Sequence, residues 1–193
     1  LYSNISGNDN VGIGLQSLYS NTTGYQNIAI GLQSMRSNTT GWVNMAIGSQ
    51  ALYSNINSSN NIAIGYNALY SHTTGSENTA IGFYALNADV SGIRNTATGY
   101  SALQLNTTGY SNTANGDYAL PTNTTGYENS GFGKNTLYSN TSGYDNSGIG
   151  MSSLYTNTDG YENTALGYFA DVSSSSLNNA TARGAKATGN ARN

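Results

Sequence analysis

Large apolar residues fall in this chain at a fixed interval of 17. Leu1, Leu18, Met35, Leu52, Leu69, Leu86, Leu103, Leu120, Leu137 and Leu154 open successive blocks, and Asp171 opens a degenerate eleventh. The blocks share the consensus L-Y-S-N-T-T-G-Y-x-N-T-A-I-G-x-x-A, and the frame does not slip from Leu1 to Ala187. Within N-T-A-I-G the character alternates with period two, the signature of an extended strand, so positions 10, 12 and 14 face one way and 11 and 13 the other. Position 12 is Ala or Gly in every block, whereas position 13 is Ile, Leu or Phe in eight and Thr98, Asn115 and Arg183 in the rest. Strictly small and never polar marks the inside of a thin coil, with position 1 as the other interior residue. Ile30, Ile47, Ile64 and Ile81 then point outward as a stripe too large to leave in water, and the same stripe on sister chains is its natural cover. The alternative is a monomer with position 13 inside and Ala29, Ala46 and Ala63 forming a flat outer face.

The corners follow from glycine. Position 14 is Gly in all eleven blocks, including Gly14, Gly31, Gly48, Gly65 and Gly82, and position 7 is Gly in nine. Two Gly corners cut each block into two short extended runs, because Gly supplies the positive φ or crowded backbone that turns need. Position 10 is Asn in ten blocks (Asn10, Asn27, Asn44, Asn61, Asn78, Asn95, Asn112, Asn129, Asn146 and Asn163), where stacked amides can bond one another and the turn backbone. The expected fold is all-β: a parallel β-solenoid of eleven 17-residue coils over residues 1–187. Stacked at about 4.8 Å it is a rod roughly 50 Å long. Residues 188–193 read as a stub leading to a downstream region, and a chain opening at Leu1 reads as a piece of a longer protein.

Composition supports the rod over a globule. Leu, Ile, Val and Phe make up about a sixth of the 193 residues, too few for an ordinary core. Only 8% of residues are charged and the net charge is -3, so charge repulsion does not hold the chain open. The 24 Gly and 16 Tyr, with abundant Asn, Ser and Thr, suit stacked polar ladders. Six basic residues are too few for a phosphate-binding stripe, which argues against nucleic acid. No run approaches a membrane span, and the absence of Cys leaves the redox compartment unread.

The blocks Asn78–Gly82 (N-T-A-I-G) and Asn27–Gly31 (N-I-A-I-G) resemble the head repeats of YadA-like trimeric autotransporter adhesins. The stretch from Asn179 to Ala187 is similar to another such unit. The longer N-T-T-G-Y-x-N-T-A-I-G-Y-x-A-L pattern resembles repeats of bacterial surface and tail-fibre proteins that end in an endosialidase-type chaperone. That resemblance, which spans the chain, implies a left-handed trimeric β-roll, outside the cell, used for adhesion or as a shaft. Two departures stand out: a period of 17 where adhesin heads show about 14, and Arg183 in place of an aliphatic residue.

Candidate chemistry is sparse. The one His, His72, stands where most blocks carry Asn and reads as a drifted ladder residue, and no catalytic triad or cofactor site is available. Ser130-Gly-Phe-Gly-Lys-Asn-Thr imitates a phosphate loop but has Glu128 where Gly is required. Glu128, Asp145 and Glu162 share position 9 in consecutive coils, a weak candidate column for a cation set against the reading of a solvated edge. Asn-x-Ser/Thr sequons recur at position 4, with Asn21, Asn38, Asn106, Asn123 and Asn140 as glycan acceptors in a secretory chain or as turn formers in a bacterial one. All sixteen Tyr lie at positions 2, 8, 15 and 16. Position 8 aligns Tyr25 with Trp42, and then Tyr110, Tyr127, Tyr144 and Tyr161, a surface on which carbohydrate or protein can dock by flat stacking, or which stiffens the rod.

The expected function is a non-enzymatic structural or adhesive fibre segment that projects a binding surface from a cell or virion. Two other classes compete. Thr rows at positions 5 and 11 suggest an ice-binding solenoid, although Ile5, Ile56 and Val90 interrupt the first, and uncapped end coils suggest a ligand-free filament built end to end.

Overall fold

A computed structural model describes residues 1–190. Thirteen short strands and no helix occur among them. Ten of these are the position 11–13 tripeptides of the first ten coils: β1 Val11–Ile13, β2 Ile28–Ile30, β3 Met45–Ile47, β4 Ile62–Ile64, β5 Thr79–Ile81, β6 Thr96–Thr98, β7 Thr113–Asn115, β8 Ser130–Phe132, β9 Ser147–Ile149 and β10 Thr164–Leu166. After β11 (Asp171–Val172) comes β12 (Thr181–Arg183), which closes the large sheet, and then β13 (Thr188–Gly189). The sheet runs β1 to β10 in chain order and ends on β12, every neighbour parallel and every register 17 residues apart, as in Ala29↔Ala46. Each 17-residue block therefore closes one circuit of a parallel β-solenoid.

The interior is three residues wide. The position 1 side chains from Leu18 to Leu154 are fully buried, and Ala at positions 12 and 17, such as Ala63 and Ala68, is equally inaccessible. Each buried Leu contributes about 1.5–3 kcal/mol, so the core gains by repetition what it lacks in thickness. Position 12 faces in and position 13 faces out, which excludes the arrangement with the Ile stripe inside. Where position 12 shrinks to Gly131 or Gly148, position 17 grows to Thr136 or Ser153, whose side-chain atoms lie 2.8 and 2.9 Å from where the missing methyl would sit. The larger position 17 side chain fills space that the missing methyl leaves.

The two glycine corners work differently. Position 14 carries φ between 117° and 141°, in the left-handed region that favours Gly. Position 7 has no unusual φ. A Cβ on Gly24 would sit 2.4 Å from both the Gly41 carbonyl oxygen and the Asn21 Oδ1, so what this corner requires is close approach to the next coil. Bending is completed by three non-Gly residues per coil in the left-handed region, at positions 1, 9 and 16, as Leu18 (φ 48°), Gln26 (φ 55°) and Gln33 (φ 55°) show. Even β-branched Val43 adopts φ 54°, a conformation that persists only where neighbours over-determine it.

Stacking continues past Ala187. Asp171–Val172 pairs with Thr188–Gly189, two residues expected to lie in the stub. The remainder of that stub, residues 191–193, lies outside the described residues.

Candidate interaction surfaces

Two amide columns hold the coils in register and shape the outer faces. In the position 10 column, Oδ1 of Asn10 accepts from the backbone N–H of Asn27 at 3.0 Å and from its Nδ2 at 3.1 Å, while Asn10 Nδ2 donates to the Gly24 carbonyl at 2.7 Å. The column at position 4 converges on the same carbonyl, since Asn21 Nδ2 donates to Gly24 O at 3.0 Å and to Asn4 Oδ1 at 2.9 Å. A position 7 carbonyl such as that of Gly24 or Gly126 thus takes one bond from its own coil and one from the coil before, whereas Gly92, whose own position 4 is Asp89, takes only that from Asn78. Bonds of this kind add about 0.5–1.5 kcal/mol each, and a lost partner costs more.

This accounting corrects the glycan reading. Asn21, Asn38, Asn106, Asn123 and Asn140 are fully buried with their Nδ2 atoms engaged on two acceptors each. A sugar on Nδ2 would have to break both bonds and enter the stack, so in the folded rod these residues are structural. His72 occupies the same column and is also fully buried, with its ring nitrogens 2.6 Å from Asp89 Oδ2 and 2.6 Å from the Gly75 carbonyl.

The outer face of the large sheet is apolar over most of its length. Ile30, Ile47 and Ile64 are half covered by their column neighbours, Ile81 is exposed, and Phe132, Ile149 and Leu166 extend the line. Beside it, position 11 contributes Val11, Ile28, Met45 and Ile62 before turning to Thr and Ser. An open groove of about 340 Å³ lies along this flank, lined by Gln26, Ile28, Val43, Met45, Asn60 and Ile62. Polar Thr98 and Asn115, with Asp117 and Lys134 alongside, divide the stripe into two apolar stretches.

The position 8 aromatics form tight piles. Tyr110, Tyr127, Tyr144 and Tyr161 stack with centroids 4.7–4.8 Å apart and planes within 6° of parallel, and Tyr25 lies on Trp42 at 5.8 Å. One strand spacing leaves no room for a sugar between rings, and both faces of Tyr127 and Tyr144 are covered. Flat stacking of a ligand is therefore closed at the inner rings, and what the column offers outward is ring edges and hydroxyls. Position 2 builds a second pile, in which the Arg36 guanidinium sits 5.7 Å from the Tyr19 ring and 5.8 Å from Tyr53 and continues the stack as a cation. Partial desolvation raises the Tyr127 phenol above its ordinary value, as do Tyr110, Asp145 and Glu128 nearby. Tyr144 is raised in the same way, by desolvation and then by Tyr161 and Tyr127.

Glu128, Asp145 and Glu162 are exposed at position 9. They do not converge: among the described residues no group of three His, Asp or Glu is placed to hold a metal ion. The Thr hydroxyls at position 5 are engaged along the stack, since those of Thr22, Thr107 and Thr124 donate to the Thr39, Thr124 and Thr141 carbonyls of the next coil at 2.9–3.0 Å. Hydroxyls so engaged are poor organisers of external water.

No family model, curated protein or solved structure matches this chain.

Proposed function

We propose that the chain is a segment of an extracellular fibre: a non-enzymatic rod that associates with copies of itself through the outer face of its large sheet and presents its aromatic edges to a carbohydrate or protein surface. The observation that carries this reading is the position 13 stripe, which is apolar, outward and continuous over the first five coils. Over all eleven coils the outer face, about 50 Å long and taken as about 15 Å wide, approaches the ~800 Å² per partner of a standard interface, and the continuous apolar stretch is about half of it. The resemblance of the N-T-A-I-G blocks to adhesin heads supports a left-handed trimer displayed from a cell or virion. Because the inner Tyr faces are covered, adhesion would use hydroxyls and ring edges.

Sedimentation and light scattering of the purified 193-residue chain test the association. The parent is expected to be a discrete oligomer, and Ile47→Asp with Ile64→Asp is expected to be a monomer with an unchanged β signature in circular dichroism. A monomeric parent overturns the proposal.

A further inference from the structure

A stack of near-identical coils has an intrinsic hazard. If any coil can sit on any other, one coil can be looped out and its neighbours joined, because closing a 17-residue loop costs little more than closing a shorter one. In the position 4 column nothing prevents this over most of the rod. Every Asn donates from Nδ2 to the Oδ1 of the coil before, so Asn106, Asn123 and Asn140 are interchangeable. Coils 4 to 7, which begin at Leu52, Leu69, Leu86 and Leu103, are the exception.

His72 of coil 5 has an acceptor opposite each ring nitrogen, Asp89 Oδ2 at 2.6 Å and Gly75 O at 2.6 Å. Both nitrogens can donate at once when the ring is an imidazolium, and the fully buried Asp89 of coil 6 then balances its charge. This reverses the column, since His72 donates forward while every Asn donates backward. Asp89 receives from both sides, taking Asn106 Nδ2 on its other oxygen at 2.6 Å. Below His72, Asn55 Oδ1 loses the donor it would have had from an Asn, and the Ser58 hydroxyl supplies one instead. Ser58 stands at position 7, where nine blocks carry Gly, and its oxygen also accepts from Asn61 Nδ2 at 3.1 Å. On the surface, Arg94 of coil 6 meets Glu77 of coil 5 at 2.9 Å, a second pair across the same two coils with the charges in the opposite order.

We infer that His72 and Asp89 are held as an imidazolium–carboxylate pair and, with Ser58, form a register key, which fixes the order of coils 4, 5, 6 and 7 in a stack whose other coils could exchange. Looping out coil 5 places Asp89 over Asn55, acceptor on acceptor, with the carboxylate buried and unpaired. The single Ser58 hydrogen is already used. Looping out coil 6 places His72 under Asn106, donor on donor, with the imidazolium unpaired. Either slip buries a lone charge, the one arrangement a protein interior tolerates least.

The chain has no Cys, so introduced pairs read register directly. In the native stack residues 17 apart sit one strand spacing from each other, within disulfide reach, whereas residues 34 apart are about 10 Å distant and beyond it. The pair Ser59→Cys and Ser76→Cys reports the native order. Ser59→Cys with Ile93→Cys reports loss of coil 5, and Ser76→Cys with Tyr110→Cys reports loss of coil 6. After refolding under oxidising conditions the parent is expected to form only the native link. Asp89→Asn, which lets coil 6 sit on coil 4 as a regular coil and strands His72, is expected to form the 59–93 link and not the 76–110 link. His72→Asn is expected to do the reverse. Should either single variant fail to fold, the double variant, whose column is uniform, is expected to fold and to form both slipped links. Absence of slipped links in the folded variants, or slipped links in the parent at the same level, overturns the inference.

Discussion

Coils 7 to 10 (103–170) and coils 4 to 6 (52–102) share a backbone and differ mainly at the edges. The later block is uniform: Asn106, Asn123, Asn140 and Asn157 at position 4, and four stacked Tyr at position 8. The central block replaces these with Asn55, His72 and Asp89, and with Ser59, Ser76 and Ile93. Yet Leu52, Leu69 and Leu86, Ala63, Ala80 and Ala97, and Asn61, Asn78 and Asn95 continue without a break and stay buried. The Leu–Ala core and the position 10 amides are thus what a coil requires, and the edge columns are where coils acquire identity. One backbone bond of the central block is longer than its equivalents. Ile56 N reaches Thr73 O at 3.4 Å, against 2.9 Å for the equivalent Thr107–Thr124 and Thr124–Thr141 bonds.

The contrast is sharpest at position 7. Gly126 in the uniform block has no room: an added Cβ would lie 2.3 Å from Asn123 Oδ1 and 2.4 Å from the Gly143 carbonyl oxygen, both parts of the converging amide columns. Gly126→Ala is expected to cost about 4 kcal/mol or more, in the range reserved for broken cores and networks. Ser58→Gly, in the central block, removes a side chain that is already accommodated. It leaves Asn55 Oδ1 buried without a donor, at about 1–3 kcal/mol. Urea unfolding of the two variants orders them, and a Gly126→Ala variant no less stable than Ser58→Gly would show that the columns do not control the fit.

A smaller effect is expected where the two blocks differ in the core itself. Coil 8 pairs Gly131 with Thr136, while coil 6 pairs Ala97 with Ala102. In Gly131→Ala the new methyl would meet Leu120 Cδ1 at 2.5 Å and Thr136 Cγ2 at 2.8 Å, overpacking worth about 1–3 kcal/mol. Adding Thr136→Ala converts coil 8 to the central pattern and is expected to recover most of the loss, a coupling of about 1 kcal/mol in a double-mutant cycle. Additive losses would mean that the two positions do not share one volume.

Much of this was legible in the residues because a ladder writes the same requirement eleven times. The 17-residue period, Gly at position 14, the Asn10–Asn163 column and the inward Ala all follow from which positions vary least. The left-handed residues at positions 1, 9 and 16 left no such trace. Leu18 is Leu because it fills the core, and Val43 and Tyr84 hold positions where Asn or Gly is the usual signal, their conformation being imposed by the coils on either side. His72 reads as a ladder residue, but its partner does not stand out along the chain, although Asp89 lies one period on. Reading down position 4 instead of along the chain would have paired them. The closed faces of the Tyr pile were also implicit, since one strand spacing is too small for anything to enter between rings.

The smallest expected effect is electrostatic and separates the blocks by pH. The Tyr127 and Tyr144 phenols are raised above the ordinary 10.0 by desolvation and by neighbouring phenols and carboxylates, whereas the central block has no phenol at position 8. A raised acid holds its proton more tightly folded than unfolded. Its contribution to stability is therefore intact below pH 10.0, and is lost as pH rises from there through the folded value. On alkaline titration followed by hydrogen exchange, coils 8 and 9 are expected to lose protection in that window. Tyr127→Phe with Tyr144→Phe, which keeps the stack and removes the titrating hydroxyls, is expected to shift the loss to higher pH. If the double Phe variant opens at the same pH as the parent, the pile is an electrostatic bystander and the uniform block owes its alkaline limit to something other than its tyrosines.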